Sequence, residues 1–346
     1  MMKTLWLFRS NIKHLEYYHK YDNLPQFEAE CHDFYMLFPI WLLRKQYFDT
    51  VVIWRLSKKP LPDIDFIVNG RLYSQRWVRD FLEVFKYPKA DMSFFRGGFK
   101  EYDTVTKQKP DHFGLKLYLA TGRRVRPQWE GIYDILLQED KRDMQTDHKC
   151  LPFYKTASPH IFQPYKNQIL DIHYDICWPC NFAQIRYKGQ EYFIQTIAKN
   201  KDLQKLNIAH CGNKSGVGKK LCQKYGVKNI EFLGELERPL LNDVLNHSMF
   251  GLCLSNLQDG CPRVISEVLM SGTPLIMSNL TRCLPYYKKR GVVEVNQKNI
   301  NGKIRGALKN HSKYKFEVNQ AIKDELSFGT IVKKNIDQWL TVFYKL

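Results

Sequence analysis

The chain has no run of about 18 apolar residues, so no segment is long enough to cross a bilayer as a helix. No leader of the secretory kind is expected. Residues 1–9 carry an apolar core too short for one and read as a first strand. The expected location is cytoplasmic, with peripheral attachment to an anionic membrane left open. No low-complexity tract or internal repeat is present, which excludes solenoids and linker-like disorder. No long Lys/Arg block occurs. The nine cysteines are odd in number and scattered, so a disulfide framework is not expected. The one C-x-x-C, Cys177-Trp178-Pro179-Cys180, has no second pair at zinc-finger spacing, which leaves little support for a structural zinc or a redox centre. No Asp-x-Asp closes a strand. Asp63-Ile64-Asp65 has the letters but precedes a strand, so no metal site is expected.

What is present is enough for two ordinary domains: 346 residues, 44% hydrophobic and 14% aromatic. The formal net charge is +18, unevenly spread. Residues 1–163 hold 26 Lys plus Arg against 20 Asp plus Glu, whereas residues 164–346 hold 27 against 15. A surplus of that size suits anionic ligands, an anionic surface, or simple solubility.

Strand-like and helix-like segments alternate throughout. In the first half, residues 2–8, 50–54, 65–68, 92–95, 116–120 and 133–138 read as strands. Residues 26–47, interrupted at Pro39, and 73–86 read as helices. In the second half, strands are expected at 173–178, 206–211, 229–233, 250–254, 275–277 and 292–295. Helices are expected at 189–199, 239–247, 262–271 and near 300–310. An amphipathic helix over 330–344 ends the chain. Two α/β halves of similar length imply two Rossmann-like domains. Ser158, Pro159 and Pro164 break the pattern between them, giving domains at 1–163 and 164–329.

The most informative stretch runs from Asp259 to Ile276. Asp259 and Gly260 form an acidic turn, Cys261 and Pro262 lead into a helix, and Glu267 follows Asp259 after seven intervening residues. Pro262 suits a helix start, where its missing N–H is not needed. Gly272 suits the position just past the end. Val264, Ile265, Val268 and Leu269 recur at helical spacing, so one face is buried. A loop running into a helix N-terminus presents backbone N–H groups and a positive dipole end to a phosphate.

This pattern resembles the donor-sugar motif of GT-B fold glycosyltransferases, in particular the retaining group 1 type (family four), with Asp259 where a glutamate is usual. The resemblance implies two Rossmann-like domains facing each other across a cleft, with the final helix packing back on the first. It implies transfer of a sugar from a nucleotide diphosphate sugar, UDP- or GDP-linked, with retention, and with no metal or other cofactor. By resemblance, Asp259 contacts the donor sugar, Glu267 holds the ribose hydroxyls, and Gly260, Cys261, Pro262 and Arg263 surround the diphosphate. Lys188, in Arg186-Tyr187-Lys188-Gly189, matches the lysine that grips the diphosphate. The usual arginine position holds Ala183, and Arg186 is the substitute at hand. Gly234, Glu235 and Leu236 match the segment that passes the nucleotide base, and Asn256 and Gln258 stand where polar donor contacts are expected.

On the acceptor side the signals are thin. Arg96-Gly97-Gly98 and Arg123-Arg124 follow expected strands and are the candidates, with His14 and His112 as lone histidines. The glycine-rich loop common after the first strand is absent, since the sequence there is Arg9-Ser10-Asn11. The expected partners are a nucleotide sugar and a glycan or glycoconjugate acceptor. Two alternatives remain: a GT-B sugar transferase acting on nucleic acid, against which the charge surplus of the second half argues mildly, and a non-catalytic nucleotide-sugar-binding protein.

Overall fold

The computed structural model describes residues 2–9, 21, 23–57, 61–96, 100–120, 129, 131–138, 150–165, 171–182, 188–255 and 262–344. The chain forms two units: Met1–Lys155 together with Ile331–Leu346, and Thr156–Thr330.

The first unit is built on strands β1 (Thr4–Arg9), β2 (Thr50–Leu56), β3 (Ile64–Val68), β4 (Arg71–Val78), β5 (Met92–Arg96), β6 (Leu115–Ala120), β7 (Ile135–Gln138) and β8 (Cys150–Pro152). Their order is β3-β4-β2-β1-β5-β6-β7-β8. All neighbours are parallel except the β3–β4 hairpin. Its turn, Asn69-Gly70, takes positive φ at both residues (50° and 76°), as a tight two-residue hairpin requires. The central strands are apolar on both faces, as a covered parallel sheet demands. One face carries an aromatic core of Trp6, Phe8, Trp54, Phe95, Tyr102 and Phe113. On the other, Phe38 of the helix Phe34–Arg44 packs edge-on against Phe94. The final helix, Phe328–Phe343, sets Trp339 against Phe38, Phe94 and Phe153. Asn335 and the Tyr154 backbone exchange two hydrogen bonds of 3.0 and 2.7 Å.

Two expectations fail in this unit. Residues 73–86 are not a helix: Arg71–Val78 is a strand between β2 and β3, followed by a 3₁₀ turn over Phe81–Lys86 with a capping box from Asp80 and Glu83. The apolar pattern over 26–47 is two helices, Leu24–Glu30 and Phe34–Arg44. The break falls at Cys31–Asp33, where Asp33 caps the Tyr35 N–H, and Pro39 lies inside the second helix. Burial along nearly the whole of that helix offsets the hydrogen bond that proline removes.

The second unit has a fully parallel sheet of β9 (Tyr174–Pro179), β10 (Ile208–Cys211), β11 (Ile230–Gly234), β12 (Ser248–Cys253), β13 (Leu275–Ser278) and β14 (Val292–Val295). The order is β11-β10-β9-β12-β13-β14, so the direction of winding reverses between β9 and β12. Thr156 belongs here through a 3.1 Å hydrogen bond to the Leu326 carbonyl, and Ala157, Ile161 and Phe162 join this unit's core. The helix Arg263–Met270 packs closely on β12 because Gly251 has no side chain: a Cβ there would meet Val268 Cγ1 at 2.4 Å. The helix Ser215–Tyr225, not expected from the sequence, seats Gly218 against the rings of Phe232 and Phe182, where a Cβ would clash at 2.5 and 2.7 Å.

Candidate functional site

In open parallel sheets, ligands bind outside the carboxyl ends of the strands where the winding reverses. In the second unit that place is the end of β9 and β12. The segments that follow these strands are the two the sequence singles out. Lys188 is half-buried and directly precedes Gly189, whose φ of 66° starts the helix Gln190–Ala198. After β12 the chain leads into Arg263–Met270, with Pro262 as its N-cap. Among the described residues no side chain caps this helix; the Ile265 N–H bonds the Pro262 carbonyl at 3.1 Å, and the N-terminal end carries the positive end of the helix dipole. Arg186, Asn256, Gln258, Asp259, Gly260 and Cys261 lie outside the described residues.

Glu267 is the centre of what can be described. It points from the motif helix into the protein and is 3% exposed. Oε2 lies 3.4 Å from Arg238 Nη1, and Oε1 lies 3.9 Å from Arg263 Nε. Oε1 makes no hydrogen bond among the described residues. A buried carboxylate oxygen in that state is costly unless something donates to it. The backbone beneath is fixed: Ser271 Oγ donates to the Glu267 carbonyl and to Asn242 Oδ1, at 2.9 and 2.7 Å. That ties the motif helix to the helix Arg238–Asn246.

Arg238 is the residue the sequence reading missed. It opens the helix after β11, next to Pro239, two positions beyond the segment singled out for the base. An arginine at a helix start following a strand–glycine turn was the available signal. In that segment Gly234 takes φ 77°, and its carbonyl accepts from the Gly212 N–H. Glu235 is exposed, and Leu236 packs against the core. Arg263 is exposed over nearly half its side chain.

A cavity of about 430 Å³ opens at the carboxyl ends of β12, β13 and β14. Gly189, Tyr192, Ser255, Ser278, Asn279 and Lys298 are among its walls. Gly189 and Ser255 connect it with the Lys188 segment and with the end of β12, whereas Glu267 does not border it.

The remaining candidates divide. Arg96 stacks its guanidinium on the Tyr35 ring, 3.9 Å from the centroid. Gly97, Gly98, Arg123, Arg124 and His14 lie outside the described residues. His112 sits among Trp6, Phe85 and Phe113 with Nε2 3.2 Å from the Val84 carbonyl, a packing role. Asp63 and Asp65 both pair with Arg76, at 3.6 and 2.8 Å. Cys177 Sγ lies 3.8 Å from Cys211 Sγ, and Cys180 Sγ lies 3.8 Å from His210 Nε2. Burial pushes the Cys180 thiol well above its ordinary range, so it is a poor nucleophile. Among the described residues no three His, Cys, Asp or Glu side chains form a group that could hold a metal.

Residues 183–324 match the family described as glycosyl transferases group 1. That span contains Lys188, Gly234 and the whole acidic motif. No curated protein matches the sequence. Among solved structures, the fold is similar to sucrose-phosphate synthase from Thermosynechococcus elongatus, with a TM-score of 0.69 at 12% identity, covering 99% of this chain and 100% of that one. A glycosyltransferase from Rickettsia africae superposes with a TM-score of 0.68 at 11% identity, covering 99% and 98%. HepE of Anabaena, solved in complex with UDP, superposes with a TM-score of 0.67 at 10% identity, covering 98% and 100%. The second unit thus contains a glycosyl transferases group 1 domain, and the chain has the GT-B fold of these glycosyltransferases.

Proposed function

We propose that the protein transfers a sugar from a nucleoside diphosphate sugar, with UDP as the favoured nucleotide, to a glycan or glycoconjugate acceptor, with retention at the anomeric carbon and without a metal ion. The observation that carries this reading is the Glu267 carboxylate, almost fully buried, with no donor to Oε1 among the described residues. Ribose hydroxyls are donors of the right kind, and the carboxylate accepts them at the carboxyl edge where a nucleotide is expected. Arg238 orients the carboxylate through Oε2 and is a positioning residue.

The diphosphate leaves with growing negative charge. Lys188 and Arg263, with the first N–H groups of the Arg263–Met270 helix, supply positive potential to it in place of a metal. Asp259 contacts the donor sugar in this reading, and Gly260, Cys261 and Arg186 complete the phosphate loop. HepE is known in complex with UDP and with UDP-glucose, which favours uridine over guanosine here.

The test is a thermal-shift panel of UDP, GDP and their sugars, followed by donor hydrolysis without acceptor. Stabilisation by UDP and slow release of UDP from one UDP-sugar are expected. No shift with any nucleotide would overturn the reading.

A further inference from the structure

The cavity of about 430 Å³ at the carboxyl ends of β12, β13 and β14 lies on the other face of the sheet from Glu267. Successive residues of a strand point to opposite faces, and Ile276 and Met277 of β13 fall into two separate cores. The cavity floor, Leu254, Val295 and Ile300, belongs to the core of Ile276. The helix carrying Glu267 packs Ile265, Val268 and Leu269 into the core of Met277. A ribose held at Glu267 therefore lies outside this cavity.

The walls are tied to one another. Tyr192, in the first turn of the helix Gln190–Ala198, donates its hydroxyl to the Gln297 carbonyl at 2.5 Å. The Asn279 N–H donates to the Val295 carbonyl at 2.8 Å. Ser278 Oγ donates to the Ser255 carbonyl at 3.1 Å and accepts from the Leu280 N–H at 3.2 Å. Asn296 Oδ1 accepts from the Lys298 and Asn299 N–H groups at 2.9 and 3.1 Å, which folds the segment after β14 into a turn. These bonds join the ends of three strands and the start of a helix. The space is thus a fixed part of the fold, of the size and place in which small ligands are held.

Its chemistry is mixed. The floor is apolar and buried, and Tyr192 stands at one side. Two groups in the walls are not used by the fold. The half-buried Asn279 has a carboxamide with no hydrogen-bond partner, and Lys298 has an ammonium with no ion pair, among the described residues. Lys298 is the only charged residue among the described walls, so no acid offsets it there. The helices Gln190–Ala198 and Ile300–Lys309 both begin at the cavity and add the positive ends of their dipoles. An apolar floor suits the C–H face of a sugar ring, and a carboxamide both donates to and accepts from ring hydroxyls. A lysine at the rim suits a phosphate as a point charge. At roughly 30 Å³ per water, the volume equals on the order of fourteen waters. That holds a hexose with a phosphate at the mouth and is too small for a complete nucleoside diphosphate sugar.

We propose that this cavity binds a hexosyl phosphate, ring inward and phosphate at Lys298, with Asn279 reading the ring hydroxyls. Two sources supply that chemistry: the glycosyl phosphate half of the donor, or a free hexose phosphate. The first rests on the transferase reading above; the hexosyl phosphate site does not.

The test is calorimetric titration of the full chain with UDP, then with UDP-glucose and UDP-galactose, and separately with glucose 1-phosphate and glucose 6-phosphate beside saturating UDP. In the donor case, Asn279→Ala weakens one UDP-sugar roughly three- to tenfold and leaves UDP affinity unchanged. In the free-ligand case, a hexose phosphate binds saturably beside UDP and is weakened by a similar factor. Lys298→Gln, at an exposed position where folding is not at risk, should weaken the same ligand severalfold. Melting temperatures of both variants check that they fold. If UDP fails to bind, the donor reading falls, and the hexose phosphates titrated alone still decide this one. UDP-sugar affinities that follow UDP in both variants, together with hexose phosphate binding that is absent or unchanged by either substitution, would overturn it.

Discussion

Replacing Glu267 by glutamine separates a functional carboxylate from a structural one. The change keeps shape and removes charge. The carboxylate is 3% exposed, and its nearest cations lie at 3.4 and 3.9 Å, the far end of ion-pair range. Arg238 and Arg263 are 33% and 45% exposed, so both can be resolvated when the charge is lost. Relief from burying a charge and loss of two long contacts are of opposite sign and similar size. The folded protein should therefore change by about 1 kcal/mol or less, a shift of roughly 2–4 °C or less in the melting temperature.

Donor binding should respond very differently. A ribose hydroxyl donating to a carboxylate is a charge-assisted hydrogen bond worth roughly 1.5–3 kcal/mol, and an amide oxygen replaces it poorly. That corresponds to about 10- to 150-fold weaker UDP binding. The assay pairs UDP titration calorimetry with melting of the same preparation. A variant that melts far earlier, yet binds UDP normally in its folded fraction, would refute the reasoning and leave Glu267 as a core carboxylate tied to Arg238.

Lys188→Ala should lower the transfer rate on the order of 100-fold by removing charge from the leaving diphosphate, with little change in melting temperature; normal transfer by an early-melting variant would make Lys188 structural. Transfer should persist in EDTA within about twofold, and complete inhibition reversed by Mn²⁺ would show that a metal is required. Burial holds the His210 imidazole down at about 4, below its unfolded value, so its contribution to stability is present above about pH 6.5 and is lost as pH falls through 4. That amounts to about 3 kcal/mol, and acid unfolding of His210→Gln followed by circular dichroism should show a shallower decline over this window; an unchanged profile would mean that other groups set it.

The elements that were legible in the sequence are those whose signal is local. The strands of the second unit are short apolar runs, most of them bounded by glycine or proline, and all were placed to within about two residues. The Ser215–Tyr225 helix was not, because its first turn, with Ser215, Gly216 and Gly218, has the composition of a loop. Tertiary contact explains it: Gly218 is required where Phe182 and Phe232 press on the helix, and that contact joins residues far apart in sequence. The strand Arg71–Val78 was missed for a related reason. Its pairing with β2 and β3 decides its conformation, and the aromatic and apolar residues at 73–86 satisfied a helical period by chance.

The same distinction governs the two carboxyl edges. The candidate donor residues lie within short contiguous segments, so the family resemblance carried by those segments pointed to Glu267 and Lys188. Arg238 was overlooked because, beyond its place at a helix start, its meaning comes from a contact with a residue 29 positions away. Three arginines of the first sheet are the extreme case. Arg9, Arg55 and Arg96 are separated by more than forty residues each, and nothing in their flanking sequence marks them as one group. Only the register of β2, β1 and β5 brings them level. A contiguous motif records how a chain treats a ligand shared across a family. A group assembled by sheet register has no counterpart in any one stretch of sequence, and its members, such as Arg9 paired with Asp33 at 2.6 Å, take their meaning from contacts that only the folded chain makes.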